Sequence, residues 1–402
     1  MLNYSNSDPT VTNCIFSGNM AGTYGGGMHN IGSSDPTVIN CTFSDNSAPN
    51  GGGMFNYECS AASITNCTFS SNSAINGGGM FNWNSSPTVT NCTFSINSAL
   101  GGGGMYNNQS NPTLSNCAFS VNSVEIAGGG MLNAYCSNMN IDNCTFSGNT
   151  AGNYGGVMIN VDSSPTVTEC TFSSNSANTF GGGIYNYEES DPMLRNCIFW
   201  DNTAPSGPQI YNGGTSSAIV IYSDVQGGWP GLGNIDVDPL FVDPGYWDPN
   251  GTQGNPDDDF WVEGDYHLKS EGWRWDSVRQ RWDYDDVTSR CIDAGNPGVS
   301  LGNELMSAPD DPDNIWGENL RINMGAYGGT AQASMAPYDW SLLGDLTNDG
   351  TVNLVDYSKQ AKDYMQTADA QPGDLNRNGI VDLPDLVFLA YDWLEETIWF
   401  EP

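Results

Sequence analysis

Residues 9–30 read PTVTNCIFSGNMAGTYGGGMHN. Residues 87–107 read PTVTNCTFSINSALGGGGMYN, and residues 165–186 read PTVTECTFSSNSANTFGGGIYN. The phrase is one repeat. Its cysteines are Cys14, Cys41, Cys67, Cys92, Cys117, Cys144, Cys170 and Cys197, spaced 27, 26, 25, 25, 27, 26 and 27 residues apart. That period is too short for a propeller blade and lacks the patterns of leucine-rich and helical repeats. Within each unit Val11, Cys14, Phe16, Ala21 and Met28, or their equivalents, alternate with polar residues and glycine. Short alternating runs bounded by turn residues are strands. Three short strands and three turns consume about one period. Coils of that kind stack with neighbouring strands about 4.8 Å apart, like residue over like.

The columns so formed have separate physical roles. Phe16, Phe43, Phe69, Phe94, Phe119, Phe146, Phe172 and Phe199 are expected to stack inside. Asn13, Asn40, Asn66, Asn91, Asn116, Asn143 and Asn196 are expected to form an amide ladder at a turn, which Glu169 interrupts. A second ladder is expected from Asn19 through Asn202, since Asn accepts left-handed backbone and bonds to its equivalent above and below. The glycines before each Met supply positive φ and close approach. The column cysteines read as small buried hydrophobes rather than disulfides. Cys59 and Cys136 match in loop position but lie three coils apart, too far to bridge.

Residues 1–226 therefore predict a mainly β chain, a solenoid of eight to nine coils. The stretch resembles right-handed parallel β-helix proteins with polymorphic-outer-membrane-type repeats. The Gly-Gly-Gly-Met phrases and Gly181-Gly182-Gly183-Ile184 carry that likeness. Met1-Leu2-Asn3 aligns with Met131-Leu132-Asn133, inside a repeat. The expectation is a chain that begins mid-coil, with further coils and any signal peptide upstream.

Residues 227–338 change to an Asp- and Trp-rich composition and are expected to cap the last coil. Phrases such as Asp238-Pro-Leu-Phe-Val-Asp-Pro244 and Met324-Gly-Ala-Tyr-Gly-Gly329 resemble the closing region of bacterial β-helix surface proteins. The insert from Trp261 to Trp282 is read first as cap packing and second as a polysaccharide-stacking surface.

Residues 339–402 hold two further phrases, Gly344-Asp-Leu-Thr-Asn-Asp-Gly-Thr-Val-Asn-Leu-Val-Asp356 and Gly373-Asp-Leu-Asn-Arg-Asn-Gly-Ile-Val-Asp-Leu-Pro-Asp385. Each is a 12-residue calcium loop, with oxygen-bearing residues at positions 1, 3, 5, 9 and 12 and Gly at 6. Asp at position 12 and a tandem copy 29 residues on make the segment resemble a small α-helical type I dockerin. That likeness implies two Ca²⁺ sites. The first would use Asp345, Thr347, Asp349, the Thr351 carbonyl, Asn353 and Asp356. The second would use Asp374, Asn376, Asn378, the Ile380 carbonyl, Asp382 and Asp385. Thr347 stands where Asn or Asp is usual, so the second loop is expected to bind more tightly. The likeness also implies a cohesin-type protein partner. Dockerins often carry Ser-Thr at positions 10 and 11; here those positions are Leu354-Val355 and Leu383-Pro384.

Composition bounds the rest. The 402 residues carry 10 Lys plus Arg against 46 Asp plus Glu, a net charge of −36. Nucleic acid is excluded as a partner, since phosphate binding needs clustered cations. No apolar run is long enough to insert in a membrane. Residues 1–215 contain one cationic side chain, Arg195. A polyuronate lyase needs cations for the substrate carboxylate and a base for its α-proton, so that chemistry is not expected. Paired carboxylates for a glycosidase are not evident in the coils. His29 and His267 are isolated in sequence and imply no His-based site. The expected protein is secreted or at the cell surface, leaning non-enzymatic, with an adhesive or scaffold-associated solenoid held by its tail. The alternative is a carbohydrate-active enzyme of a dockerin-bearing assembly.

Overall fold

The computed structural model describes residues 1–58, 61–136, 139–250, 259–306, 317–367 and 370–399. Three parallel sheets of nine strands each run from residue 2 to residue 225. Consecutive coils pair in register. Met54, Phe55 and Asn56 face Met80, Phe81 and Asn82; Phe69 faces Phe94; Ile64 faces Val89. Four coils add a short fourth sheet, at Ser98–Gly101, Ser123–Ala127, Thr150–Ala151 and Ser176–Ala177. The expected three strands per coil omit it. In those coils the chain between Asn ladder and glycine turn lies straight enough to pair.

The interior is columnar. Phe43 through Phe199 are fully buried, and successive rings stack at 4.4 to 5.1 Å. The cysteines from Cys41 to Cys197 are buried free thiols. The Cys41 main-chain N–H donates to the Cys67 sulfur at 3.4 Å, and the same bond recurs along the column. Cys14, in the first coil, is exposed, unlike the other seven. Cys59 lies outside the described residues; Cys136 is buried and donates to the Asn107 and Ala134 carbonyls.

The Asn19–Asn202 column is a continuous ladder. Asn97, for example, donates its N–H and its amide to Asn122 Oδ1, at 3.1 and 2.9 Å, and a second amide proton to the Phe69 carbonyl at 2.9 Å. Every buried polar atom there has a partner, as a low-dielectric interior requires. The glycine turns permit the close coil spacing. A Cβ on Gly79 would stand 2.6 Å from the Gly104 carbonyl oxygen and 2.9 Å from the Phe94 ring.

Beyond Val225 the chain turns back over the last coil. Tyr222 N–H donates to the Leu232 carbonyl, and Val225 N–H to the Ile235 carbonyl, so the final edge is covered. Covered edges do not recruit other strands. Among the described residues three antiparallel two-stranded ribbons follow. Their core joins Phe241, Tyr266, Leu268, Cys291, Ile292 and Met324 to Ile198 and Tyr222 of the solenoid. The cap also descends along the side of the solenoid, further than the last coil. Trp261 lies against Gly148. Ser147 donates to Glu263, and Ala326 N–H to Thr171. The tail adds two short helices, α1 (Leu354–Asp363) and α2 (Leu383–Tyr391). They pack on Leu346, Val352, Leu375 and Leu389. Among the described residues no helix is long and apolar enough to cross a membrane.

Candidate metal loops and the cap interface

The two tail loops have the same internal bonding. At position 1, the Asp345 carboxylate accepts from the Asp349 and Gly350 N–H groups at 3.2 and 2.8 Å. Asp374 accepts from Asn378 and Gly379 at 3.0 and 2.7 Å. At position 12, Asp356 accepts from the Thr347 and Asn353 N–H groups, and Asp385 from those of Asn376 and Asp382. Gly350 and Gly379 stand at φ 91° and 90°, which only glycine adopts without strain. Asp356 and Asp385 are each the third residue of their helix and complete a capping box with Asn353 and Asp382. Loop closure and helix start are thus one event.

The loops fit a hard cation in chemistry. Asp345, Asp356, Asp374 and Asp385 are all at most 3% exposed. Burial pushes the Asp345 carboxyl up to about 6 and Asp356 up as well. One oxygen of Asp382, at position 9 of the second loop, is buried with no hydrogen-bond partner among the described residues. An orphaned carboxylate oxygen in a ligand position is the group a cation would satisfy. In the first loop the Thr347 hydroxyl, at position 3, instead donates to Asp356 at 3.0 Å. Among the described residues no group of three or more His, Cys, Asp or Glu side chains is gathered as a metal site. Each loop would draw on amide, hydroxyl and main-chain oxygens as well as carboxylates. With Ca²⁺ bound, the ion would supply the positive charge these buried oxygens lack.

The loops are held against the cap by side chains that no calcium pattern predicts. Position 4 of each loop has positive φ, at Asn348 (58°) and Arg377 (56°). The Asn348 amide donates to the Gly233 and Ala294 carbonyls at 2.7 and 2.8 Å. The Arg377 guanidinium donates to the Pro297 and Leu320 carbonyls at 3.0 and 2.6 Å. Arg321, fully buried, donates to Gly295 and Asp345 main-chain oxygens. Tyr222, in the last coil, donates to the Leu346 carbonyl at 2.9 Å.

The repeat part decides the kinship. Residues 1–154 and 135–225 match the family model described as right handed beta helix region, together more than half of the chain. The chain belongs to the right-handed β-helix family. No curated protein and no solved structure matches it.

In this β-helix the structure brings together three things that the residue-by-residue reading kept apart. The first is a third amide ladder. Asn30, Asn56, Asn82, Asn107, Asn133, Asn160 and Asn186 are fully buried and joined amide to amide at 2.7 to 3.0 Å. Its signal was the recurring Asn two residues after each Met. The second is an acidic pair. Asp142 and Glu169 sit in adjacent coils and share a hydrogen bond, with Thr168 donating to Asp142 and Asn196 to Glu169. The expectation of no paired carboxylates in neighbouring coils is corrected here. Glu169 is 7% exposed beneath the cap, and burial followed by the Asp142 bond raises it to about 8. The third is His267, whose Nδ1 lies 2.5 Å from the Asp265 carboxylate and whose ring stacks on Tyr327. It is 1% exposed, so the pair faces the cap interior.

Tryptophans in and beside the insert pair with one another, and those described at Trp261, Trp275 and Trp282 are half-buried. Trp247 meets Trp261, and Trp275 meets Trp282, edge to face across their ribbons at 5.6 Å.

Proposed function

We propose that this β-helix protein is an extracellular, non-enzymatic spacer or adhesive module, attached through a calcium-loaded, dockerin-like tail to a cohesin-type partner. The observation that carries the reading is the surface the two loops display. Leu354 and Val355, at positions 10 and 11 of the first loop, are 69% and 49% exposed, and Leu383 at position 10 of the second is 63% exposed. Val387, Phe388 and Tyr391 are exposed further along α2. Exposed apolar side chains gathered on a small acidic unit mark a protein interaction site. Their place at both helix starts ties that surface to loop closure, and so to calcium.

The ligand sets would be those read from the loops, Asp345, Thr347, Asp349, Thr351, Asn353 and Asp356, then Asp374, Asn376, Asn378, Ile380, Asp382 and Asp385. Of the Asp142–Glu169 pair, Glu169 is buried beneath the cap while Asp142 is half-buried, so the pair does not lie together on an open surface as a hydrolytic site requires. The test is capture of the full chain on an immobilised panel of cohesin modules, in millimolar calcium and in chelator. Calcium-dependent capture, lost in Leu354→Asp/Leu383→Asp, is expected. Capture by none of the panel would overturn the attachment role.

A further inference from the structure

The outer Asn column changes its environment part-way along the solenoid. Asn13, Asn40, Asn66, Asn91 and Asn116 are exposed at a corner, each with φ between 51° and 56°. The lower rungs bond to one another: Asn40 donates to Asn13, and Asn66 to Asn40, both at 3.2 Å. From Asn143 upward the cap lies over the column. Asn143 donates to the Ala326 and Gly328 carbonyls, and Glu169 and Asn196 are buried. A groove of about 480 Å³ opens where the column meets the cap. Its floor holds Asn91, Asn116 and Thr145, and its wall Tyr327, Thr330 and Gln332. The Asn91 and Asn116 side chains make no hydrogen bond among the described residues, so both amides are free for a ligand. Tyr327 is fixed, its ring stacked on His267 with centroids 3.7 Å apart.

No charged side chain lines this groove, on a chain of net charge −36. A cation would find no carboxylate there, and an anion would meet a repulsive field. A neutral ligand is left. The lining pairs amides and hydroxyls, which donate and accept at once, with the apolar surfaces of Tyr327, Ala118 and Ala331. A sugar ring presents that same mixture, hydroxyls at its rim and C–H groups on its faces. Below the groove the column continues as an open row of amides, one rung per ~4.8 Å. A polymer lying on that row ends against the Tyr327 wall.

We propose that this groove binds the end of a neutral polysaccharide chain, with the following units laid along the exposed Asn column. The proposal is independent of the tail and its partner. Affinity electrophoresis of the full chain, through gels containing soluble neutral glucans, mannans, xylans or galactans, tests it with calcium present throughout. At least one of these polymers should retard the protein. Asn91→Ala/Asn116→Ala should weaken retardation at least tenfold, and Gln332→Trp, which fills the groove from an exposed position, should abolish it. Glu125→Ala, at a distant surface, should leave it unchanged. At equal mass, shorter chains of the same polymer should compete better, because they offer more ends. All four proteins should share one Tm within a few degrees, since the changed side chains lie on the surface. Retardation by no neutral polymer, by polyuronate alone, or equally in all variants would overturn the proposal, as would binding of neutral peptides in preference to glycans.

Discussion

Asn82 shows what a single residue contributes in a solenoid. It donates to Asn107 and accepts from Asn56, and none of the three touches solvent. Asn82→Ala removes a donor and an acceptor together and strands both neighbours. A buried group left without its partner costs about 1–3 kcal/mol, so the variant should lose roughly 2–4 kcal/mol. Asn13→Ala, at an exposed corner, should stay within about 0.5 kcal/mol. Thermal unfolding followed by circular dichroism separates the two; equal Tm values would show the inner ladder to be energetically idle. Thiol reactivity reads the neighbouring column. Cys14 should label within minutes in the native protein, while Cys41 through Cys197 should label only after unfolding. Burial raises the pKa of Cys144 and Cys197, so neither offers a thiolate. Mass spectrometry locates the label, and rapid native modification of Cys92 would contradict the packing. These columns also mark how far the residues could be read in advance. Cys-x-Phe and the Gly-Gly-Gly-Met turns recur with too little variation to mistake, so coil number and register were legible. The inner ladder is equally periodic, but an amide on an inward face reads as a polar break until coil stacking supplies its partner 25 to 27 residues away.

At the scale of elements, the two tail loops differ by one atom set. Asp382 keeps a free buried oxygen in the second loop, whereas Thr347 of the first is already bonded to Asp356. Asp374→Ala should therefore reduce calcium-dependent helicity more than Thr347→Ala, by a factor of several in apparent affinity. Calorimetric titration of the full chain decides it, and identical isotherms would refute the ranking. The turn and helix start of each loop were legible because Gly350 and Gly379, with Asp356 and Asp385 six residues on, suffice to place them. Their attachment was not. Asn348 and Arg377 occupy position 4, which a calcium loop leaves unconstrained, and their carbonyl acceptors at Gly233, Ala294, Pro297 and Leu320 are 54 to 115 residues away. No local pattern records a bond of that reach. Arg377→Ala should accordingly raise proteolytic cleavage between the cap and α2 without changing solenoid strand content.

For the whole molecule, acidity sets the strength of the cap. Glu169 faces Asp142, Arg195 and Glu304, and Asp224 faces Cys291, Asp236 and Asp238. Burial raises both to about 8. A carboxyl whose folded value lies above its unfolded one holds more protons when folded. Its stabilisation is complete below the unfolded value and is lost as pH rises through the folded one. Tm should therefore fall by several degrees between pH 5 and pH 8.5, at about 1–2 °C per kcal/mol in a chain of this size. Glu169→Gln reproduces the protonated state, still accepting from Asn196 and donating to Asp142. It should flatten the pH slope and raise Tm at pH 8.5. A slope unchanged by that substitution would place the pH response elsewhere. The pair also explains the break in the outer ladder: a protonated Glu169 both donates and accepts, as the amide of Asn40 does between Asn13 and Asn66.

The direction of the bonds between coils has a mechanical consequence. Strand pairs and amide ladders both point along the solenoid axis, so tension along that axis draws every rung apart at once. Along most of the solenoid each rung boundary resists with three strand pairs and the contacts of two amide ladders acting in parallel. A load applied at the outer face of α1 and α2 enters elsewhere, through Asn348, Arg377, Arg321 and the Tyr222–Leu346 bond. Those few links stand in series with the solenoid. Under a steady pull the tail detaches from the cap before any coil opens, and the solenoid acts as a stiff rod behind a breakable coupling.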